Sequence, residues 1–381
     1  MDFSVKPEHE LIRKTVREFA EREIKPLAKE LDENSRFSIE LTKKMGDLGL
    51  FGMYLPEKYG GMNMDVLSYI IAVEEIARID SSQAATLAAH NSLGIGPLYY
   101  YGTEEQKMKY LPPLCTGDAL WAFGLTEPDA GSDSRGTKTK AFLDNDEWVI
   151  DGSKIFITNA ASDISMGCTA QVVTDTKNEE MRFTTIIVEK GTKGYKTVPM
   201  HGKMMWRASD TAEIYFDDCR VPQSNLLGKI GQGSKIMLST LDNGRLSIAA
   251  MGLGLAQGAF ELALRYSQER KQFGKSISKF QIIAFKLADM ATKIELARNL
   301  LYKACWLKDN NKAFAKEAAM SKLYCSEIAK SVADEAVQIH GGYGLMKDYD
   351  IERFYRDQRL LQIGEGTSEI QRLVISRYIG C

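Results

Sequence analysis

In Glu147-Trp148-Val149-Ile150-Asp151-Gly152-Ser153-Lys154-Ile155-Phe156-Ile157-Thr158, two short runs of β-favouring residues flank an Asp-Gly-Ser turn signal. The pattern predicts strands at 147–150 and 154–158. Segments 119–125, 166–174, 182–189 and 211–217 share this texture, and Ala212–Asp217 partly alternates. Pro222, Gly228, Gly231 and Gly233 close the region. Short strands joined by turns read as an antiparallel sheet, small barrel or sandwich, and not as alternating strand and helix.

On both sides the period becomes helical. Residues 8–31 carry Leu11, Ile12, Val16, Phe19, Ala20, Ile24 and Leu27 at helical spacing, with Pro26 as a kink or boundary. Residues 38–49 and 65–79 repeat the pattern, and Leu55–Gly61 punctuates it. Beyond about residue 230, long amphipathic segments cover 234–270, 279–309 and 313–339, which predicts a bundle. The expected class is α+β: an all-α domain over 1–118, a middle antiparallel β domain over 119–229 and a four-helix-bundle-type α domain over 230–381.

With 381 residues, 44% hydrophobic and 26% charged, the chain has the composition of a globular protein with a large core. A formal net charge of −2 gives no reason to expect nucleic acid, and no run of eighteen apolar residues suggests membrane insertion. The start, Met-Asp-Phe-Ser-Val-Lys-Pro-Glu, has no apolar signal core. Six cysteines without a CxxC pair fit reduced thiols, and a cytoplasmic protein is expected. Four histidines show no metal-ligand spacing.

Several stretches carry chemistry. Gln362-Ile363-Gly364-Glu365-Gly366-Thr367-Ser368-Glu369 sets one carboxylate between two glycines, just before a helix that Thr367 can cap. Such a carboxylate is either a solvated neighbour of a cap or a base raised in pKa by an apolar pocket. Phe123-Gly124-Leu125-Thr126-Glu127-Pro128-Asp129-Ala130-Gly131-Ser132-Asp133 leaves a strand for a turn whose amides can bind a heterocycle or phosphate, or is a plain loop. Phe156 and Thr158, two apart on one strand face, can meet a flat ring. Arg270-Lys271-Gln272-Phe273-Gly274 offers a diphosphate fork and an aromatic cover. Gln338-Ile339-His340-Gly341-Gly342 follows a helix end, and a glycine C-cap does not account for its histidine. Leu241-Asp242-Asn243-Gly244-Arg245 puts polar groups into an apolar helix. Gly252-Leu253-Gly254-Leu255-Ala256-Gln257-Gly258 only imitates a dinucleotide fingerprint, for no strand precedes it; close helix packing is the expected reason for its glycines.

Taken in this order over nearly the whole chain, these motifs resemble those of the acyl-CoA dehydrogenases, nearest the short-chain, butyryl-type members. The resemblance implies FAD. It assigns the isoalloxazine ring to Phe123, Leu125, Thr126, Gly131, Ser132, Phe156, Ile157 and Thr158. The diphosphate and adenosine fall to Arg270, Phe273, Gln281, Gln338, Ile339, Gly341 and Gly342, partly from a neighbouring subunit, with Thr367 and Glu369 completing the site. Ser132, Asp242, Asn243 and Arg245 would contact an acyl-CoA substrate, with Gly364 and Gly366 beside its reacting end. Glu365 matches the catalytic base: it would take the α-proton of the thioester while flavin N5 accepts hydride from the β-carbon, giving the 2-enoyl-CoA. Implied partners are an electron-transferring flavoprotein and further copies of the chain in a homotetramer.

Two departures bear on substrate. Many relatives carry a bulky aromatic where this chain has Gly364, which predicts a pocket widened for branched or cyclic acyl groups unless Trp206 or Leu93 fills the space. Trp206-Arg207-Ala208-Ser209 replaces the usual Ile-Arg-Gly-Ser. An acyl-CoA oxidase, a decarboxylating dehydrogenase that would need an extra pocket cation, and a flavin- or CoA-binding protein without catalysis stay open.

Overall fold

The computed structural model describes residues 5–174 and 182–381. The N-terminal helices are α1 (Pro7–Phe19), α2 (Lys25–Glu33), α3 (Ile39–Asp47), α4 (Val66–Ala77), α5 (Ser81–Ala89), α6 (Gly96–Tyr101) and α7 (Glu104–Cys115). A wide π turn over Ala20–Ile24 joins α1 to α2. Pro26 has no N–H to continue the ladder, so the chain widens one turn and stays helical instead of breaking.

The middle region holds β1 (Leu120–Gly124), β2 (Lys140–Asp144), β3 (Glu147–Thr158), β4 (Ser165–Thr174), β5 (Arg182–Glu189), β6 (Tyr195–Pro199), β7 (Thr211–Pro222) and the short β8 (Leu226–Leu227). The sheet runs β6-β7-β3-β2-β4-β5-β8, with β1 also on β4. Most pairings are antiparallel, but β1 and β2 each pair parallel with β4. The turn expected at 151–153 is absent: β3 runs straight through and shifts register against β7 between Ile150 and Gly152. Gly152 is required there. Its φ is +142°, and a Cβ would lie 2.7 Å from the Thr139 Cα. A second shift falls between Lys154 and Ile157, with Phe156 at φ +61°.

Three long helices follow, α8 (Gly233–Glu269), α9 (Gln281–Asp309) and α10 (Ala315–His340), separated from one another by a β9 (Lys271–Gln272) and β10 (Lys275–Ser276) hairpin and by a short loop. Then come α11 (Ile351–Leu361) and α12 (Ser368–Ile379). By length and composition α8 is apolar enough to cross a membrane, yet most of it is buried inside the fold, against α4, α9 and α10. Its small residues let those helices approach: a Cβ on Gly254 would sit 2.1 Å from the Glu74 carbonyl oxygen, one on Gly258 2.1 Å from that of Arg78, and one on Gly252 2.8 Å from that of Cys325. One apolar core joins the N-terminal helices to this bundle, and a separate one fills the β region.

Candidate active site

Glu365 sits on the turn between α11 and α12, at φ +52°, and Gly366 follows at φ +92°. Gly366 adopts that region freely, but Glu365 is strained there unless it is held. Here it is held. Gln371 Nε2 donates to the Gly366 carbonyl at 2.9 Å and to that of Glu365 at 3.3 Å, and Lys322 Nζ donates to the Gly366 carbonyl at 2.6 Å. Thr367 caps α12 by accepting from the Ile370 N–H at 3.2 Å. Ser326 Oγ donates to the Leu361 carbonyl, while Glu327 accepts from Gln362 Nε2 and Ser368 Oγ.

The carboxylate points inward. Its Oε2 is buried and has no hydrogen-bond partner among the described residues. Burial pushes the carboxyl up to about 7, against the opposing pull of the Lys322 ammonium and the Arg245 guanidinium. Gly244 on α8 faces it: a Cβ there would come within 1.9 Å of Glu365 Oε2 and 3.2 Å of Leu93 Cδ2. Leu93 belongs to a π turn over His90–Ile95 and packs with Phe123, Leu125, Met237 and Leu241. His90 keeps this turn in place. Its Nε2–H donates to the Leu114 carbonyl, its Nδ1 accepts from the Trp121 N–H, and burial lowers it to about 4, so it is a neutral structural group.

The 123–132 segment is braced on β3. Glu127 pairs with buried Lys154 at 2.7 Å and accepts from Thr139 Oγ1 and the amides of Lys138 and Thr139. Lys154 also donates to the Gln171 carbonyl at 2.6 Å. The Ile155 N–H donates to the Thr126 carbonyl, which ties the loop to the bulge. Phe123 and Leu125 are buried, Thr126 is half-buried, and Gly131 and Ser132 are exposed; a Cβ on Gly131 meets open space. Phe156 is 63% exposed and Thr158 half-buried. The register shift interrupts the simple alternation expected of them, and the Ile157 side chain packs into the β core, so only its backbone is left for a ligand.

On α8, Asp242 and Arg245 form an ion pair, and Arg245 Nε is buried without a partner among the described residues. The amide of Asn243 is already engaged: Oδ1 accepts from Lys308 at 2.5 Å and Nδ2 donates to the Ser239 carbonyl. Trp206 does not fill space at Gly364. Its N–H and indole Nε1–H donate to Asp357, and the atoms nearest to a Cβ on Gly364 would be those of Leu360, at 3.5–3.7 Å.

A second group of residues stands elsewhere. Arg270, Phe273, Gln281 and Gln338 are exposed, Phe273 at 92%. Arg270 lies 5.5 Å from the centre of the Tyr343 ring and has no ion pair among the described residues. A cleft of about 520 Å³ there is lined by Tyr266, Arg270, Ile339, Gly341, Gly342 and Tyr343, among others. Gly341 is at φ +62°, and a Cβ on Gly274, Gly341 or Gly342 meets nothing within 4 Å. The Ile339 side chain is buried, and His340 stacks on Tyr266 at 4.3 Å, so neither presents its side chain as a free arm. Glu369 is exposed in the first turn of α12.

The sequence reading missed Gly244, Lys322, Gln371 and the Glu127–Lys154 pair. Gly244 lay inside a quoted motif, but only the fold puts it against Glu365. Lys322 looked like any polar position on an amphipathic helix.

The residues present fit FAD. An exposed aromatic and a hydroxyl flank a backbone bulge at 156–158, and an unpaired arginine faces glycines with open space at 341–342, the two kinds of surface that a flat ring and a diphosphate need. Comparisons with known proteins point the same way. The descriptions "Acyl-CoA dehydrogenase, N-terminal domain", "middle domain" and "C-terminal domain" match residues 6–118, 122–219 and 231–380. A probable acyl-CoA dehydrogenase of Bacillus subtilis is 50% identical over 379 residues, covering 100% of both chains. The solved butyryl-CoA dehydrogenase of Megasphaera elsdenii is 43% identical, with a TM-score of 0.96 and 100% of each chain covered. A chain solved in work on the electron transferring flavoprotein of Acidaminococcus fermentans is 45% identical, with a TM-score of 0.97 and full coverage of both. With all three domains matched in order and relatives aligned from end to end, the chain belongs to the acyl-CoA dehydrogenase family of FAD-dependent oxidoreductases.

Proposed function

We propose that the protein dehydrogenates a short acyl-CoA thioester between its α and β carbons, with Glu365 as the base. The observation that carries the reading is the buried, unpartnered Glu365 Oε2, aimed across Gly244 from a turn held in the left-handed region. A carboxylate without donors is a stronger base than one in water, and seating a thioester removes more water from it. The Glu365 N–H has no backbone acceptor among the described residues and is free to donate to the thioester carbonyl, which stabilises the charge that develops as the α-proton leaves. FAD supplies the hydride acceptor for the β-carbon. Phe123–Ser132 and Phe156–Thr158 would hold its ring, Thr367 and Glu369 would complete that end, and Arg270, Phe273, Gln281, Gln338, Gly341 and Gly342 would hold a diphosphate and adenosine. Asp242 and Arg245 would orient the CoA arm.

Arg270, Gly341 and Gly342 of the second group line a cleft whose lining includes neither Glu365 nor the 123–132 segment. We read it as serving the cofactor of a neighbouring copy in a homotetramer. Identity to a butyryl-CoA dehydrogenase favours a short acyl chain, and identity to a chain from an electron transferring flavoprotein study favours such a protein as electron acceptor. A Cβ on Gly364 would meet its nearest neighbour, Leu360, at no less than 3.5 Å, which favours a site wide enough for a branched or cyclic acyl group. The cations that act on Glu365 are both engaged, Arg245 by Asp242 and Lys322 by the Gly366 carbonyl, which disfavours a decarboxylating substrate with a second carboxylate.

The test is anaerobic mixing of the yellow holoenzyme with butyryl-, isobutyryl- and cyclohexanecarboxyl-CoA while following flavin absorbance. Bleaching by any of the three supports dehydrogenation, and the ranking measures pocket width. A flavin that none of them bleaches overturns the reading.

A further inference from the structure

Helix α10 turns one face toward the strained segment. Lys322, Ser326 and Glu327, at spacings of four and one, reach the Gly366 carbonyl, the Leu361 carbonyl and the Gln362 and Ser368 side chains respectively. Of these contacts, the one from Lys322 is out of the ordinary. A buried ammonium is costly and is nearly always paired with an anion. Among the described residues Lys322 has no carboxylate within ion-pair distance, and its hydrogen bond goes to a neutral carbonyl one residue after Glu365. A clamp on that carbonyl needs only a neutral donor, which Gln371 already supplies. The charge therefore needs a separate account.

Resting on the assignment of Glu365 as base, we propose that Lys322 is a positioning residue with two separable roles: its N–H clamps the Gly366 carbonyl, and its buried charge keeps Glu365 ionised and ready to accept a proton. The surroundings leave few other candidates for the second role. The groups acting on Glu365 are Lys322 from α10 and Arg245 from α8, and Arg245 is already paired with Asp242. Tyr69 of α4 feels the Glu365 charge as well. Lys322 in turn faces Glu365, Arg245, Glu327 and Glu369, with Glu365 the strongest of the four. Burial lowers the Lys322 ammonium and raises the Glu365 carboxyl, and each charge opposes that push on the other.

The experiment compares Lys322→Gln, which keeps a donor and loses the charge, Lys322→Arg, which keeps both, and Glu365→Gln as a reference. The Glu365 carboxyl is titrated in the holoenzyme by infrared difference spectroscopy, as the band that Glu365→Gln removes. The pH profile of flavin reduction by butyryl-CoA is taken alongside. Loss of a neighbouring opposite charge moves a carboxyl by about one pH unit or more. The expected result is an upward move of that size in both the band and the acid limb for Lys322→Gln, and near-original values for Lys322→Arg. A band that stays in place in Lys322→Gln overturns the inference, even if the rate falls. If Lys322→Gln does not fold, Lys322→Met is titrated in its place by the same criterion, and if neither folds while Lys322→Arg does, the lysine is structural and the inference fails. An active Glu365→Gln enzyme would instead overturn the base assignment, an outcome read independently of the lysine.

Discussion

Around Glu365 the chain closes on itself; around Arg270 it stays open. Both ends carry backbone in the left-handed region, Glu365 and Gly366 in one case, Phe273, Gly274 and Gly341 in the other. At Glu365 the strain is opposed by Lys322, Gln371 and the Thr367 cap from the same chain, and Gly244 is cut back so that the carboxylate fits. At Arg270 the β9–β10 ladder holds the Phe273–Gly274 turn, but the side chains there are open: Phe273 is almost wholly exposed, and a Cβ on Gly274 or Gly341 would face empty space. On the proposed reading, the difference separates a reacting centre that one chain builds for itself from a binding surface that a neighbouring copy would complete.

Substitutions at the two ends should accordingly fail in different ways. Glu365→Gln should lower flavin reduction by butyryl-CoA by about 10²–10⁴-fold while bound FAD, measured by absorbance of the purified protein, is unchanged. Gly244→Ala should cost about a hundredfold, because its methyl takes the place of Glu365 Oε2 and displaces the base. Arg270→Ala should behave oppositely: FAD is released about ten- to a hundredfold more readily in a fluorescence titration, and the molecules that retain it reduce at the original rate. A loss of rate at full FAD occupancy in Arg270→Ala would erase the distinction. The pH dependence belongs to the closed end alone. Glu365 must be ionised to take a proton, and burial raises it to about 7, so kcat/KM should climb with pH through that value and fall about tenfold per unit below it. The smallest effect is expected at Gly364, where Gly364→Ala adds a methyl at ordinary contact distance from Leu360 and should shift the butyryl-to-isobutyryl ratio only a few-fold.

The helices were legible because long amphipathic periods survive into the fold: 234–270, 279–309 and 313–339 became α8, α9 and α10 within two residues at either end. The bulge at Gly152 was not, since Asp-Gly-Ser has the same composition in a hairpin and in a kinked continuous strand. Parallel pairing of β1 and β2 with β4 was hidden for a related reason, because strand direction is set by connections and not by residue type. Glu365 stood out in sequence through its two glycines. Gly244, Lys322 and Gln371 did not, because what distinguishes them is proximity to Glu365, and that comes from helices far apart in the chain.

The glycines of α8 also act as a ruler. Gly254 and Gly258 are one turn apart, pressed on the carbonyls of Glu74 and Arg78. Sliding the helix by one turn in one direction would bring Leu262 to the contact, and in the other Ala250, and neither fits where a Cβ would lie 2.1 Å from an oxygen. The helix therefore has one permitted setting along its axis. Gly244 lies about 15 Å up the same rod, so the notch that admits the Glu365 carboxylate is indexed from a contact that no substrate touches. A bulkier residue at Gly254 would misalign Glu365 at a distance, and would look in an assay like a substitution at Glu365 itself.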